Sequence, residues 1–212
     1  MNSTLQIESF VTIRDNKVIK NHDLIFESKE IKSLDFLNEL YKQNKIQYSK
    51  FFKMDKLSKL GFLATELLIH EDNAVKKLSP YQIAVVLSNK NSSLDNDLKY
   101  FESTKNIASP SLFVYTLPNI VIGEICIRNG FKGENFFFIG DVFDAELIKE
   151  SVNLAFMNTD TQCCFCGWVD AYDETCEAII FKVGKNKNES TIDFTIQNLL
   201  KLNNNKNGSL NS

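Results

Sequence analysis

The chain reads as an α/β domain, a mixed sheet flanked by helices, and three observations carry that reading. Strand-like and helix-like segments alternate along most of its 212 residues. Residues 82–88 (Gln-Ile-Ala-Val-Val-Leu-Ser) form a nearly continuous apolar run of strand length, the pattern of a strand buried on both faces. With 43% hydrophobic residues, a chain of this length can bury a proper core as one domain.

Taken in order, residues 5–13 and 17–26 read as strands around an Asp15-Asn16 turn. Ser33 caps a helix running to Tyr41, with Phe36, Leu37 and Leu40 on one face. A second helix fits 55–69, where Leu57, Leu60, Ala64, Leu67 and Leu68 recur at helical spacing. After the apolar strand comes a helix over 92–103. The stretch 112–129 is apolar nearly all round and predicts one buried helix bent near Pro118. Strand 135–139, helix 145–157, strands 161–169 and 177–183 and an amphipathic helix over 191–202 follow. The Asn- and Ser-rich residues 203–212 predict a disordered tail, leaving 1–202 as a single domain.

Composition narrows the function classes. Twenty-four basic against 27 acidic residues give a net charge of −3, which argues against nucleic-acid binding. No apolar run has the length of a membrane span, and Met-Asn-Ser-Thr-Leu-Gln is not a signal peptide, so a cytoplasmic protein is expected. Five cysteines, three of them in Cys163-Cys164-Phe165-Cys166, do not make a disulfide framework. Cys163 and Cys166 have Cys-x-x-Cys spacing, yet on a strand positions three apart face opposite ways. Buried small hydrophobes are therefore the plainer reading, and no metal site and no cofactor is expected.

One stretch carries more. Ser109-Pro110 is followed by Asn119, Gly123 and Gly133, and then by the turn Gly140-Asp141-Val142-Phe143-Asp144. Upstream stands Phe52-Lys-Met-Asp55, and downstream Cys166-Gly167. Together these resemble the amino-terminal part of a β-ketoacyl synthase over residues 51–183, most densely over 109–167. The resemblance implies a thiolase-like fold, its N-terminal half only. It also implies a nucleophilic Cys nine positions after Gly133, where this sequence has Val142. The chain is about half the usual length for that family.

A condensing enzyme needs a thiolate at a strand-to-helix turn, where free backbone N–H groups and the helix N-terminus lower its pKa and hold an oxyanion. Val142 has no nucleophilic atom, and Asp141 and Asp144 place carboxylates where an anion would bind. Asp141, Val142 and Phe143 thus form a degenerate elbow with no catalytic residue. The family's two histidines lie in its other half. His22 and His70, the chain's two histidines, read as surface or cap residues.

Binding surfaces are the alternative. Lys42, Lys45, Lys50, Lys53, Lys56 and Lys59 form a basic run interleaved with Tyr48, Phe51 and Phe52. It reads either as a solvated helix face or, through Lys50 and Lys53, as a contact for acyl carrier protein, which the resemblance implies. By the same resemblance Leu112, Phe113, Phe136, Phe138 and Trp168 line a tunnel or face a partner, each with a core role as the alternative. A half fold leaves one layer uncovered, an aggregation liability that a partner would relieve. The leading expectation is a non-catalytic subunit of chain-length-factor type, as in aryl-polyene/flexirubin-type clusters, pairing as a heterodimer with a full-length β-ketoacyl synthase. A homodimeric acyl-chain or carrier-protein binding module comes second, and a Cys-dependent acyltransferase using Cys163 or Cys164 third.

Overall fold

The computed structural model describes residues 4–29, 31–70 and 72–205. Strands β1 (Gln6–Arg14) and β2 (Lys17–Lys20) are joined at Asp15 and Asn16, which hold φ of 51° and 55°. Positive φ at both central residues is what a tight hairpin matching the strand twist requires. The expected strand over 17–26 is in fact two. Asn21 and His22 also have positive φ, so the chain turns again into β3 (Asp23–Glu27). The Asn21 side chain locks this second turn by accepting from Phe10 N at 2.9 Å.

Helix α1 (Ser33–Gln43) buries Phe36, Leu37, Leu40 and Tyr41. Ser33 is its first residue rather than its cap. Its amide and hydroxyl both donate to the Glu174 carboxylate instead. Helix α2 (Lys56–Ile69) starts where expected, with Asp55 accepting from Ser58 N at 3.0 Å, and nearly all of it is buried. Strand β4 (Ile83–Asn89) is buried at all seven positions.

The apolar run after α3 (Leu94–Thr104) corrects the reading of one bent helix. It forms two helices, α4 (Pro110–Val114) and α5 (Ile120–Asn129), with a turn through Pro118 between them. Pro118 has no N–H and its ring crowds the preceding turn, so the helix stops instead of bending. Strand β5 (Asn135–Ile139) and helix α6 (Ala145–Met157) fall at the expected residues. The hairpin β6 (Cys163–Tyr172) and β7 (Thr175–Gly184) extends further than expected, its ladder continuing to Tyr172↔Thr175. The start of the expected last helix forms β8 (Ile192–Asp193) against β1, and helix α7 spans Ile196–Asn204. Of the expected tail, 203 and 204 are helical and 206–212 lie outside the described residues.

The strands form one sheet in the order β3-β2-β1-β7-β6-β4-β5, with β8 also on β1. Strands β4, β5 and β6 run parallel, and β6-β7-β1-β2-β3 alternate. Side-chain alternation divides the core in two. Val11, Val85, Phe165, Val169 and Ile180 meet Leu60 and Leu63 of α2 and Val121 of α5 on one face. Phe10, Val86, Cys164, Trp168, Ile179 and Phe181 meet Ile148 and Val152 of α6 and Leu199 and Leu202 of α7 on the other. Each such side chain fully buried stabilises the fold by about 1.5–3 kcal/mol.

Two glycines permit this packing. A Cβ on Gly61 would stand 2.3 Å from Val121 Cγ2, so glycine lets α5 cross close over α2. Gly167 has φ of 150°, and a Cβ there would meet Ile179 O at 2.0 Å. Helices α6 and α7 pack on the second face over β1, β7, β6 and β4, while Leu154 and Met157 of α6 and Leu24 and Ile25 of β3 stay exposed.

Candidate functional site

The elbow is built by the end of β5 and the start of α6. Gly140 N donates to Asn89 O at 2.9 Å, holding the end of β5 against β4. The next three residues leave the sheet, and Asp144 then caps α6, its Oδ1 accepting from Glu146 N and Leu147 N at 3.0 Å each. A carboxylate thus fills the helix N-terminus and complements its dipole. Val142 points outward and is 70% exposed, Asp141 is exposed, and half-buried Phe143 packs towards Phe181, ring centroids 6.3 Å apart. No thiol, hydroxyl or imidazole belongs to this turn.

Strand β5 ends the sheet, and its outer edge carries no strand among the described residues. Phe136 and Phe138 are half-buried on the α6 side, stacked with centroids 6.3 Å apart, while Phe137 faces the α5 side. Ile139, at the strand's end, is 58% exposed. Phe113 on α4 is equally exposed and rests on Tyr100, with Leu117 close behind in sequence and also exposed. Leu112 is half-buried, its carbonyl accepting from Asn96 Nδ2 at 2.7 Å. Trp168 differs from the rest of this group: it is 6% exposed inside the core under α6 and α7. Even-numbered positions of β6 face α6, and Cys164 and Cys166 share that face.

The basic run does not form one solvated face. Lys50 Nζ lies 2.9 Å from Glu124 Oε2, and Glu124, 3% exposed, also accepts from Tyr115 OH at 2.9 Å. Burial first, then the Glu124 carboxylate, pushes the Tyr115 hydroxyl well above its ordinary pKa. Lys56 pairs with Asp95 at 2.9 Å and donates to Asp173 O. Lys59 is buried, donating to Met54 O at 2.7 Å. Lys42, Lys45 and Lys53 are exposed. Lys53, Lys56 and Lys59 line a cleft of about 480 Å³ with Asp55, Asp95, Leu112 and Tyr115. Sequence reading missed this cleft. The Lys-x-x-Lys spacing ahead of an apolar helix marked one wall, but Asp95, Asp173 and Glu174 come from distant segments.

The cysteine alternative finds no support in the geometry. Cys163, Cys164 and Cys166 are buried and unpaired, and burial pushes the thiols of Cys163 and Cys164 well above their ordinary pKa. A thiol held protonated in a core is a poor nucleophile. His22 packs edge-on against Phe10 at 4.9 Å, and His70 is the C-cap of α2. Among the described residues no three His, Cys, Asp or Glu side chains gather to hold a metal, and no helix is long and apolar enough to cross a membrane.

No protein-family model and no curated protein matches the sequence. Solved structures do match in shape. The ishigamide ketosynthase/chain length factor superposes at TM-score 0.61 with 13% identity, over 85% of this chain and 62% of that one. The ketosynthase ApeO in complex with its chain length factor ApeC, from Xenorhabdus doucetiae, gives 0.54 and 9%, over 86% and 79%. The apo AntDE:AntF structure, a type II PKS acyl-carrier protein in complex with its ketosynthase bound to the hexaketide, gives 0.57 and 12%, over 87% and 63%. The chain thus spans under two thirds of the length of the first and third of these matched chains. Its mixed sheet flanked by helices is the thiolase-like fold of ketosynthase and chain-length-factor structures.

Proposed function

We propose that this protein is a non-catalytic, ketosynthase-like subunit of chain-length-factor type, pairing with an active β-ketoacyl synthase in polyene, fatty-acid or polyketide-type biosynthesis. The observation that carries the reading is the elbow. At the strand-to-helix turn of a condensing-enzyme fold stand an exposed Val142 and, in the helix N-terminus, the Asp144 carboxylate. The open edge of β5 and the exposed Ile139 and Phe113 give such a subunit apolar and backbone groups to offer a partner. In this reading the half-buried Phe136 and Phe138 lie beside the shared acyl pocket.

Co-expression with a ketosynthase encoded beside it, followed by size-exclusion chromatography with light scattering, tests the proposal. A stable one-to-one complex whose product lengths change when Phe138 is replaced supports it. A chain that ignores the ketosynthase and runs as a homodimer sinks it in favour of the homodimeric binding module. Acyl carrier protein remains a proposed second partner, reached through exposed Lys53. Lys50 is the weaker candidate because its charge is already engaged by Glu124.

A further inference from the structure

We propose that Lys59 is a covalent carbonyl-binding site, its amine forming an imine with an aliphatic aldehyde or ketone admitted through the cleft it lines. The cleft lies where the parallel strands β4 and β6 end. Asp95 and Asn96 follow β4, and Asp173 and Glu174 follow β6. In α/β sheets the carboxyl ends of parallel strands are where ligands bind. The volume of about 480 Å³ suffices for a medium-length aliphatic chain, and Met54 and Leu112 supply apolar wall.

The amine at the site has an unusual position for a lysine. Lys59 is 5% exposed, makes one hydrogen bond among the described residues, to Met54 O at 2.7 Å, and stands 5.2 Å from the centre of the Phe51 ring. An ammonium has three protons to place, and a lysine this buried is normally tied to a carboxylate by contact. Lys56 and Lys99 both pair with Asp95 instead. Burial is the largest effect on Lys59 and lowers its pKa, Lys99 lowers it further, and the charge of Asp55 opposes both. A desolvated lysine in a partly apolar pocket is the form of the side chain that acts as a Schiff-base nucleophile.

The reaction balances without a further reagent. The Nζ lone pair attacks the carbonyl carbon, a C=N bond replaces the C=O bond, and the oxygen leaves as water with both hydrogens of the neutral amine. Only trapping needs an added reductant, cyanoborohydride: the imine nitrogen takes a proton from water, the hydride adds to the imine carbon, and a secondary amine results.

The test uses the full chain, hexanal and cyanoborohydride near neutral pH, with adducts mapped by peptide mass spectrometry. The expected result is an adduct at Lys59 enriched roughly tenfold or more over exposed Lys53, and lost in Lys59→Arg. Adducts spread over exposed lysines with Lys59 unmodified would overturn the proposal. Should Lys59→Arg fail to fold, the wild-type map decides alone. The Leu112→Trp variant, which narrows the cleft from its wall, is expected to reduce labelling at Lys59 and leave Lys53 unchanged; labelling at Lys59 undiminished in that variant would also overturn it.

Discussion

Lys50 and Glu124 form an ion pair in which the acid is buried and the base is partly in water, 2.9 Å apart. The pair pins the 3-10 turn at Ser49–Lys53 to α5, and Tyr115 joins it from the end of α4. Replacing Lys50 by Met leaves a buried carboxylate with Tyr115 as its hydrogen-bond donor. We expect a loss of about 1–2 kcal/mol, discounted for the exposed end of Lys50, seen as a lower denaturant midpoint. Lys53→Met is expected to leave stability within about 0.5 kcal/mol. If carrier protein binds here, Lys53→Glu weakens it without this stability cost.

The elbow gives a second expectation. Asp144→Ala removes the cap of α6 and is expected to cost about 0.5–2 kcal/mol by chemical denaturation. Val142→Cys is expected to react readily with iodoacetamide, because position 142 is exposed, yet to yield no condensation product from malonyl thioesters. Product formation by that variant alone would overturn the non-catalytic reading.

The cysteines predict a pH dependence. Burial pushes Cys126 and Cys176 up to about 11, from an ordinary value of 9.0. A pKa raised by folding means the unfolded chain loses its proton first. The stability tied to these thiols is whole below about pH 9 and is lost as pH rises from there towards 11. Denaturant midpoints measured between these limits should fall, and less steeply in Cys126→Ala. On the folded protein at pH 8, Cys163, Cys164 and Cys166 should resist alkylation until denaturant is added.

On the same face of the sheet as Cys163, Lys182 of β7 bridges Glu8, at 2.8 Å, and Asp72. Burial pushes the Asp72 carboxyl up, but hydrogen bonds from Lys182 and from the Val75 and Ala74 amides outweigh it and hold it below its ordinary range. Its contribution is whole above the unfolded value near 3.8 and is lost as pH falls from there through the lower folded value. The acid limb of stability should flatten in Asp72→Asn. Lys182→Met, which leaves two facing carboxylates, should cost about 2–4 kcal/mol at neutral pH.

Partner binding is checked at the open end of the sheet. Ile139→Asp is expected to abolish a ketosynthase complex while leaving the circular dichroism of the isolated chain unchanged, since the side chain is 58% exposed. Unchanged complex formation would place the interface elsewhere.

Much of this fold was legible where local and tertiary preferences agree. Strand β5 and helix α6 follow the sequence residue for residue, and the Asp55 cap of α2 is a local signal. The failures have physical causes. Hydrophobicity alone read 112–129 as one helix, although Pro118 divides it. Positive φ at Asn21 and His22 split the segment 17–26 that reads as one strand. The burial of Trp168 is set by α6 and α7, which no local pattern foretells. The cleft at Lys59 was invisible because its acids arrive from four separated segments, at 35, 55, 95 and 173–174.

Helix α7 also bears on recognition. It follows β8 by only two residues and holds Leu199 and Leu202 on the sheet above Phe10 and Phe181. A tether that short gives the helix an effective local concentration on the order of millimolar or higher. Any visiting surface aimed at that side must outcompete a ligand that never diffuses away. The part of the sheet beneath it is thereby withdrawn from molecular choice, and on the function proposed above selectivity falls to the strand edge at the far end.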